Sequence, residues 1–243
     1  SPETDRRIIL HSAARDIIGT FEIALKLVPN AKRVYVVSGV HDVDRAVEDQ
    51  AHRQLKKWEG QLEFLYLSHM SFEGIQTTLS NAPPDSIVLL LIFAKDIEGK
   101  GYTSPEVTQR LSRVSAAPIF GLLDAALGFG ITGGSLINFE RSGTKAGELA
   151  LDLLRGVPAT VNIPYMLNVP PVPMFDWRQL KRWKLSEAAL PKGSIVINRQ
   201  FTLWSLRYYF LGILSFIVVE TALIIFLIVQ RRRRKSAEES LQL

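Results

Sequence analysis

The sequence predicts an α/β fold: one lobe built on a doubly wound parallel sheet, part of a second lobe, then one transmembrane helix. Three observations predict it. Short β-branched runs alternate with amphipathic segments of helical period. The run Ser86–Phe93 (SIVLLLIF) is apolar throughout, as in a strand covered on both faces. Tyr208–Gln230 is an apolar stretch of 23 residues with RRRRK directly behind it.

The elements follow in order. Ile18–Val28 has apolar residues at helical spacing and stops at Pro29-Asn30. Arg33–Gly39 (RVYVVSG) is a short buried strand closed by glycine. Asp42–Trp58 sets Val43, Ala46, Val47, Ala51, Leu55 and Trp58 on one side of a helix that Gly60 ends. Leu62–Leu67 is the next strand, and Ser71, Glu73 and Gly74 start a helix reaching Leu79. Pro83-Pro84-Asp85 turns the chain into Ser86–Phe93. A polar loop then leads to Pro105 at the start of a helix ending near Ser115, and Ala117–Leu122 is a further strand.

After Asp124 the character changes. Gly128, Gly130, Gly133 and Gly134 precede another strand, and Arg141–Arg155 is a helix stopped by Gly156 and Pro158. A proline-rich passage (Pro164, Pro170, Pro171, Pro173), a short helix over Asp176–Lys184 and the turn-plus-strand Leu190–Arg199 close the region before the span. Order of this kind implies right-handed crossovers, with ligands beyond the carboxyl ends of the strands. Those ends are 38–42, 68–69, 93–96 and 122–124.

The span itself has Tyr208 and Tyr209 at one interface and five cations at the other. Positive charge favours the cytoplasmic side, which puts everything before residue 208 outside the cytoplasm. Of the 29 basic residues five lie at 231–235, and of the 24 acidic residues Glu220, Glu238 and Glu239 lie in or after the span. That leaves 24 bases against 21 acids before the span, a net +3. The basic balance therefore reports the anchor and not a nucleic-acid surface. Cysteine is absent, which excludes disulfides, thiolate nucleophiles and Cys-ligated zinc. The polar opening SPETDRR is no signal peptide, so either an upstream stretch is missing or the span directs its own insertion; the former is the expectation.

The stretch PIFGLLDAALGFGITGGSLINFERSGTKAGELALDLLRG resembles the late part of type I periplasmic binding proteins of the ABC-transporter substrate-binding-like group. FDWRQLKRWKLSEAALPKGSIVINR, followed by a span and an arginine run, resembles the sensor-domain version that opens bacterial membrane histidine kinases. The resemblance covers roughly residues 15–235. It implies two α/β lobes closing on a small ligand and a single span carrying the signal inward, with most of the first lobe absent here. It gives domain limits of 1–130 for the ligand-binding lobe, 131–202 for return segments of the partner lobe, 203–230 for the juxtamembrane and transmembrane helix, and 231–243 for the start of a cytoplasmic signalling helix. No phosphoacceptor histidine or ATP-binding glycine box is present; His11, His41, His52 and His69 all precede the span.

Candidate ligand contacts are the strand-end residues Ser38, His41, Asp42, Phe93, Lys95, Asp96 and Asp124. Each has a bland alternative. Asp124 accepts hydrogen bonds from ligand at a cleft floor, or it caps the next helix. Lys95 and Asp96 face a polar ligand or form a solvated loop pair. Phe93 stacks on a ring or belongs to the core. Asp42 is a helix cap, and His41 beside it either contacts ligand or does not. One histidine with scattered carboxylates lacks metal-ligand spacing, so no metal and no cofactor are expected. GFGITGG lacks the phosphate-loop lysine and leads into a strand, not a helix; the resemblance implies that its glycines serve unusual backbone angles as the chain passes between lobes. No Ser/His/Asp set or paired-acid arrangement supports a catalytic site. Glu220 inside the span is costly in hydrocarbon and is expected to hydrogen-bond a partner helix, making a homodimer through the span.

The sequence thus points to a small-molecule sensor region of a two-component kinase in the bacterial inner membrane, its domain periplasmic. The alternative is a membrane-tethered substrate-binding component of an ABC transporter, and a vestigial anchor is the third reading.

Overall fold

The structure is a computed structural model that describes residues 10–13, 15–155, 166–199 and 207–239. The chain divides into two units, Ser1–Arg199 and Gln200–Leu243.

In the first unit the elements run β1 (Leu10–Ala13), α1 (Ile17–Leu27), β2 (Arg33–Val37), α2 (Asp42–Leu55), β3 (Glu63–Tyr66), α3 (Phe72–Ser80), β4 (Ser86–Leu90), α4 (Ser104–Val114) and β5 (Ile119–Gly121). They continue with β6 (Gly133–Leu136), α5 (Phe139–Leu154), β7 (Met166–Val169), β8 (Val172–Asp176), α6 (Trp177–Arg182) and β9 (Ile195–Ile197). Seven strands form one sheet in the order β3-β2-β4-β5-β6-β8-β9. β3, β2, β4, β5 and β6 are mutually parallel, β8 runs antiparallel to β6, and β9 follows β8. β1 and β7 make a separate parallel pair, with Leu10 opposite Met166.

The alternation of strand side chains explains the layers. Val34 and Val36 of β2 and Leu89 of β4 pack with Ile17 and Phe21 of α1 and Val47, Ala51 and Leu55 of α2. The intervening Tyr35, Val37, Val88 and Leu90 pack with Ile75 and Leu79 of α3 and Val107 and Leu111 of α4. Both faces of β4 are therefore covered, and all five of its residues are buried. That is the physical content of its unbroken apolar run.

Several boundaries differ from those the pattern predicts. β4 ends at Leu90, although the backbone stays bonded to β2 and its continuation just beyond, Leu91 N–H donating to Val37 O and Ile92 O accepting from Gly39 N–H. α5 begins two residues before Arg141: the Asn138 side chain accepts from the Arg141 N–H at 2.7 Å and Asp124 accepts from the Phe139 N–H at 2.9 Å, so side chains on both sides cap the first turn. The proline-rich passage holds two strands, β7 and β8. Pro173 sits within β8 opposite Ser135, a place where the missing N–H is tolerated. Residues 131–202 are divided between structures: β6, β8 and β9 belong to the seven-stranded sheet and β7 pairs with β1.

In the second unit α7 (Arg207–Glu239) is one unbroken helix. Its stretch Tyr209–Arg231 is 23 residues long and holds an 18-residue window of mean hydropathy 2.7, long and apolar enough to cross a membrane. The expected link at Leu190–Leu206 lies partly outside the described residues, as do residues 240–243.

Candidate functional site

Strand order reverses direction between β2 and β4: the chain leaves β2 for β3 on one side and returns to β4 on the other. The crevice outside such a reversal is where open α/β sheets take ligands. Here a side chain of the protein fills it. Asp44, in the first turn of α2, is fully buried. Its Oδ2 accepts from the N–H groups of His41 at 3.1 Å, Ala94 at 3.1 Å and Lys95 at 3.3 Å. The backbone closes the rest of the gap, since Gly39 N–H donates to Ile92 O and Val40 N–H to Lys95 O. Gly39 has to be glycine, because a Cβ there lies 2.2 Å from Asp44 Oδ2 and 2.5 Å from Lys95 O.

Four of the expected contacts sit around this plug. Ser38 is buried, its hydroxyl within 3.2 Å of the Asp44 and Ile92 carbonyls. His41, and not Asp42, is the N-cap of α2: its Nδ1 is 3.4 Å from the Val43 N–H while Asp44 accepts from its backbone. Asp42 is the first helical residue, and His41, Asp42 and Lys95 are exposed at this edge of the sheet. His69 lies further along the same edge, after β3.

Asp96 organises the loop that follows. It is almost fully buried, and its Oδ1 accepts from the N–H groups of Glu98 at 3.0 Å and Lys100 at 2.9 Å. Its Oδ2 accepts from the Tyr102 hydroxyl at 2.8 Å. Burial alone pushes this carboxyl up. The bonds from Tyr102, Lys100 and Glu98, with the charge of Lys100, outweigh it and hold Asp96 below its ordinary 3.8. Burial and the same bond push Tyr102 up to about 12. Because the folded carboxyl titrates below the unfolded one, its stabilisation is complete above the ordinary value and is lost as pH falls below it. Asp96→Asn is therefore expected to lower stability at pH 7 and to flatten its decline below about pH 4, read from urea midpoints between pH 7 and pH 2.5. An acid limb as steep as the parent's would contradict this assignment.

Beneath the loop, Phe93 joins an aromatic cluster. Its ring centroid is 5.6 Å from Phe72 and 5.7 Å from Tyr102, both edge-on, and Phe72 and Tyr102 stack at 4.8 Å. The Arg110 guanidinium lies 4.4 Å above Phe72. Beside the cluster, at the carboxyl ends of β4 and β5, is a cavity of about 130 Å³. Phe93, Ala94, Tyr102, Ser104, Val107 and Leu123 are among its walls, and no formal charge faces it. Of the seven expected contacts only Phe93 lines this cavity. Tyr102 and Ser104 escape a reading of the sequence: no pattern marks them, because the loop fold that brings Tyr102 back over the strand end depends on Asp96, whereas Leu123 lies in the strand end 122–124 that the sequence marks.

Asp124 opens a short turn after β5, half-buried, its N–H donating to Ile137 O and its carboxylate bonding the first N–H of α5. Burial raises its carboxyl, opposed by the bonds from Phe139 and Ala125. Gly128, Gly130, Gly133 and Gly134 take positive φ as expected, but the segment they form joins β5 to β6, neighbours in the same sheet, and does not carry the chain between lobes. Among the described residues no group of three or more His, Asp or Glu could hold a metal ion.

No known protein family matches the chain, and no curated protein sequence matches it. Solved structures do. One is an ABC domain in complex with L-Trp from Streptococcus pneumonia, with a TM-score of 0.56 and 14% identity over 77% of this chain and 62% of that one. A conserved domain protein from Vibrio cholerae superposes with a TM-score of 0.55 at 11% identity, over 76% and 61%. The ligand-free, open form of a substrate-binding protein with adhesive properties from Clostridium difficile gives 0.52 at 15%, over 78% and 63%. This chain spans less than two thirds of the length of each. At such identities the likeness is one of architecture: the chain has the α/β fold of substrate-binding proteins.

Proposed function

We propose that the chain is the extracytoplasmic, small-molecule-binding region of a single-pass signalling protein of the bacterial inner membrane, a sensor histidine kinase whose catalytic part lies beyond these residues. The observation that carries the reading is the joining of a substrate-binding-protein fold to an apolar helix that ends in five consecutive cations. The cationic end belongs in the cytoplasm by charge, which leaves the α/β unit on the periplasmic side. Ligand acts by population shift: it favours the conformation it binds better, and the helix through the membrane reports the difference.

The cavity at the ends of β4 and β5 takes an apolar part of the ligand, and the exposed His41, Asp42 and Lys95 at the same sheet edge offer polar contacts to the remainder. The lobe's sheet draws on both sides of the expected limit at residue 130, taking β6, β8 and β9 from beyond it, and the β1–β7 pair belongs to the return segments of a partner lobe. In support of the latter, β1 and β7 pair outside the main sheet, and α5 leaves Phe139 53% and Leu154 84% exposed. The pairing of ABC and substrate-binding neighbours favours a second reading, a tethered binding component that delivers ligand to a permease.

Thermal shift of the full chain in detergent, screened against amino acids, sugars and nucleobases, tests the binding role. At least one ligand at a hundred times its dissociation constant is expected to stabilise the parent by about 2.7 kcal/mol. Ser104→Phe, which puts a ring into the cavity, is expected to abolish that shift without lowering the ligand-free midpoint. A shift that survives Ser104→Phe puts the ligand elsewhere. Fusing the chain at Leu243 to a kinase core then separates the two readings, because a sensor transmits ligand occupancy as a change in autophosphorylation and a delivery protein does not.

A further inference from the structure

The basic residues before the span are not spread evenly. Residues 177–199 (WRQLKRWKLSEAALPKGSIVINR) hold six cations and one acid, a net +5. Everything before the apolar stretch is together net +3, so the remainder is net −2. Among the described residues the ion pairs of this segment use only Arg178, with Asp176, and Arg199, with Glu187. Lys181, Lys184 and Lys192 are exposed. Like charges gathered in so short a stretch repel one another, and a merely solvated face gains nothing from gathering them.

Topology puts the segment at one end of the sheet. β8 runs antiparallel to β6, so its last residues, Phe175 and Asp176, lie beside Gly133 and Thr132 at the amino end of β6. α6 starts there, and β9, parallel to β8 with Ile197 opposite Asp176, brings Asn198 and Arg199 to the same end. Arg178 Nη2 donates to Gly128 O at 2.8 Å, tying α6 to the segment that enters β6. Arg182 Nη1 donates to Ser112 O at 2.9 Å, tying it to the last turn of α4, which leads to the amino end of β5. Apolar surface accompanies the charge. Trp177 and Trp183 are half-buried, with Lys181 Nζ 5.4 Å from one ring centroid and the Arg182 guanidinium 4.7 Å from the other. Phe129, next to Gly128, is 46% exposed. The cavity lies at the carboxyl ends of β4 and β5, the opposite end of the sheet, so this surface is separate from the ligand site.

We propose that this end of the α/β unit is a docking surface for anionic phospholipid headgroups of the bilayer that α7 crosses. Indole rings with cations beside them are the composition that settles at a lipid–water interface. Connectivity selects the occupant. Arg199 is eight residues before Arg207, and a chain rises at most about 3.5 Å per residue, which keeps it within about 28 Å of the start of α7. A lipid surface is held near by the chain itself, an advantage that a diffusing acidic protein lacks. Each cation within a Debye length of an anionic surface, about 8 Å, shifts the docked-to-free ratio by roughly fivefold. Docking of this kind turns the carboxyl end of the sheet, with its cavity, away from the bilayer. The proposal rests on reading α7 as a membrane span.

The chain has no cysteine, so one introduced thiol carries a fluorophore without competition. The full chain, one copy per lipid nanodisc, is labelled at Phe129→Cys or, at the opposite sheet edge, at His69→Cys, with a headgroup-nitroxide lipid as quencher. In discs containing phosphatidylglycerol, quenching at position 129 is expected to exceed that at position 69 several-fold, and to fall to the same level in phosphatidylcholine alone. Neutralising three lysines together (Lys181→Gln, Lys184→Gln, Lys192→Gln) is expected to lower the docked-to-free ratio on the order of a hundredfold. The same loss of charge at Lys26→Gln, Arg53→Gln and Lys56→Gln leaves it unchanged. Salt needs no variant: at about 1 M the Debye length shrinks to about 3 Å, which is expected to release the parent. Equal quenching at both positions, indifference to phosphatidylglycerol, to salt or to the three lysines, or an equal loss from the control triple each overturns the docking. Quenching that requires two chains per disc gives the surface to a second copy and overturns it as well. A chain that stays with the discs but shows the wrong profile overturns the docking alone, whereas a chain that does not enter them overturns the membrane reading too.

Discussion

Gly133→Ala is expected to destabilise the α/β unit by about 4 kcal/mol, the sum of an overpacked contact and a strained φ, each worth roughly 1–3 kcal/mol. Gly133 opens β6 with φ +148 and pairs antiparallel with Phe175 of β8. A Cβ there lies 2.3 Å from Met174 O and 2.3 Å from Phe175 Cδ1, with Phe175 Cα at 2.9 Å. Two of these atoms are backbone, so no rotamer change relieves the clash. Phe175 is fully buried against Phe120 and Leu180, and pushing it outward opens the core on which β8, α6 and β9 rest. For a unit of this size the loss corresponds to a fall of about 10 °C in Tm, read by near-ultraviolet circular dichroism of the full chain in detergent. Gly143→Ala is the control. Gly143 lies inside α5, and a methyl group there meets nothing within 4 Å, so alanine is expected to gain about 0.5–1 kcal/mol. Equal midpoints for Gly133→Ala and the parent would show that the β6–β8 pair yields where its geometry says it cannot.

This contrast marks what the sequence makes legible. The parallel half of the sheet is readable because each strand there is a local apolar run and each helix a local period: Arg33–Val37, Ser86–Leu90 and the stripe Val47, Ala51, Leu55 announce themselves within a few residues. The β6–β8 half is not. Whether β8 runs parallel or antiparallel to β6, and which glycine must accommodate Phe175, depends on residues about forty positions apart, one of them in a proline-rich passage with no strand period. The site divides in the same way. Sequence order directs attention to the carboxyl ends of the strands, but a strand end is a location and not a contact. Asp96 reads as half of a solvated pair, and it is buried because Tyr102, six residues on, returns to it. Phe93 reads as a ring-stacker or, more often for an aromatic at a strand end, as core, and it is both a member of the aromatic cluster and a wall of the cavity. Asp124 caps α5 from fifteen residues away, so its residue type announces a cap while the helix it caps is distant. Asp44 carries no signal at all, since a carboxylate in the first turn of an amphipathic helix is ordinary.

Asp44→Ala is expected to cost about 3 kcal/mol, and the size follows from its partners. Three N–H groups, those of His41, Ala94 and Lys95, lose a charged acceptor at 3.1–3.3 Å, and each orphaned buried donor is worth about 1–3 kcal/mol. His41 and Lys95 lie in exposed residues whose amides water can reach once the carboxylate is gone, which keeps the total near the lower end of that sum. Asp44→Asn separates charge from shape. A carboxamide oxygen in the Oδ2 position still meets the three donors, and its NH2 replaces Oδ1, which faces only the Ala94 N–H at 3.2 Å. Asn is therefore expected to cost about 1–2 kcal/mol, between the parent and Ala, in urea unfolding of the full chain in detergent. The order decides the role. Ala and Asn equally damaging would mean that the charge, and not the three-donor geometry, holds β2 to β4; Ala harmless would mean that the backbone bonds of Gly39 and Val40 close the crevice unaided. With the predicted order, Asp44 seals the crevice at the β2–β4 reversal, where open α/β sheets ordinarily take ligand, and the site proposed above lies one strand over, in the cavity at the ends of β4 and β5.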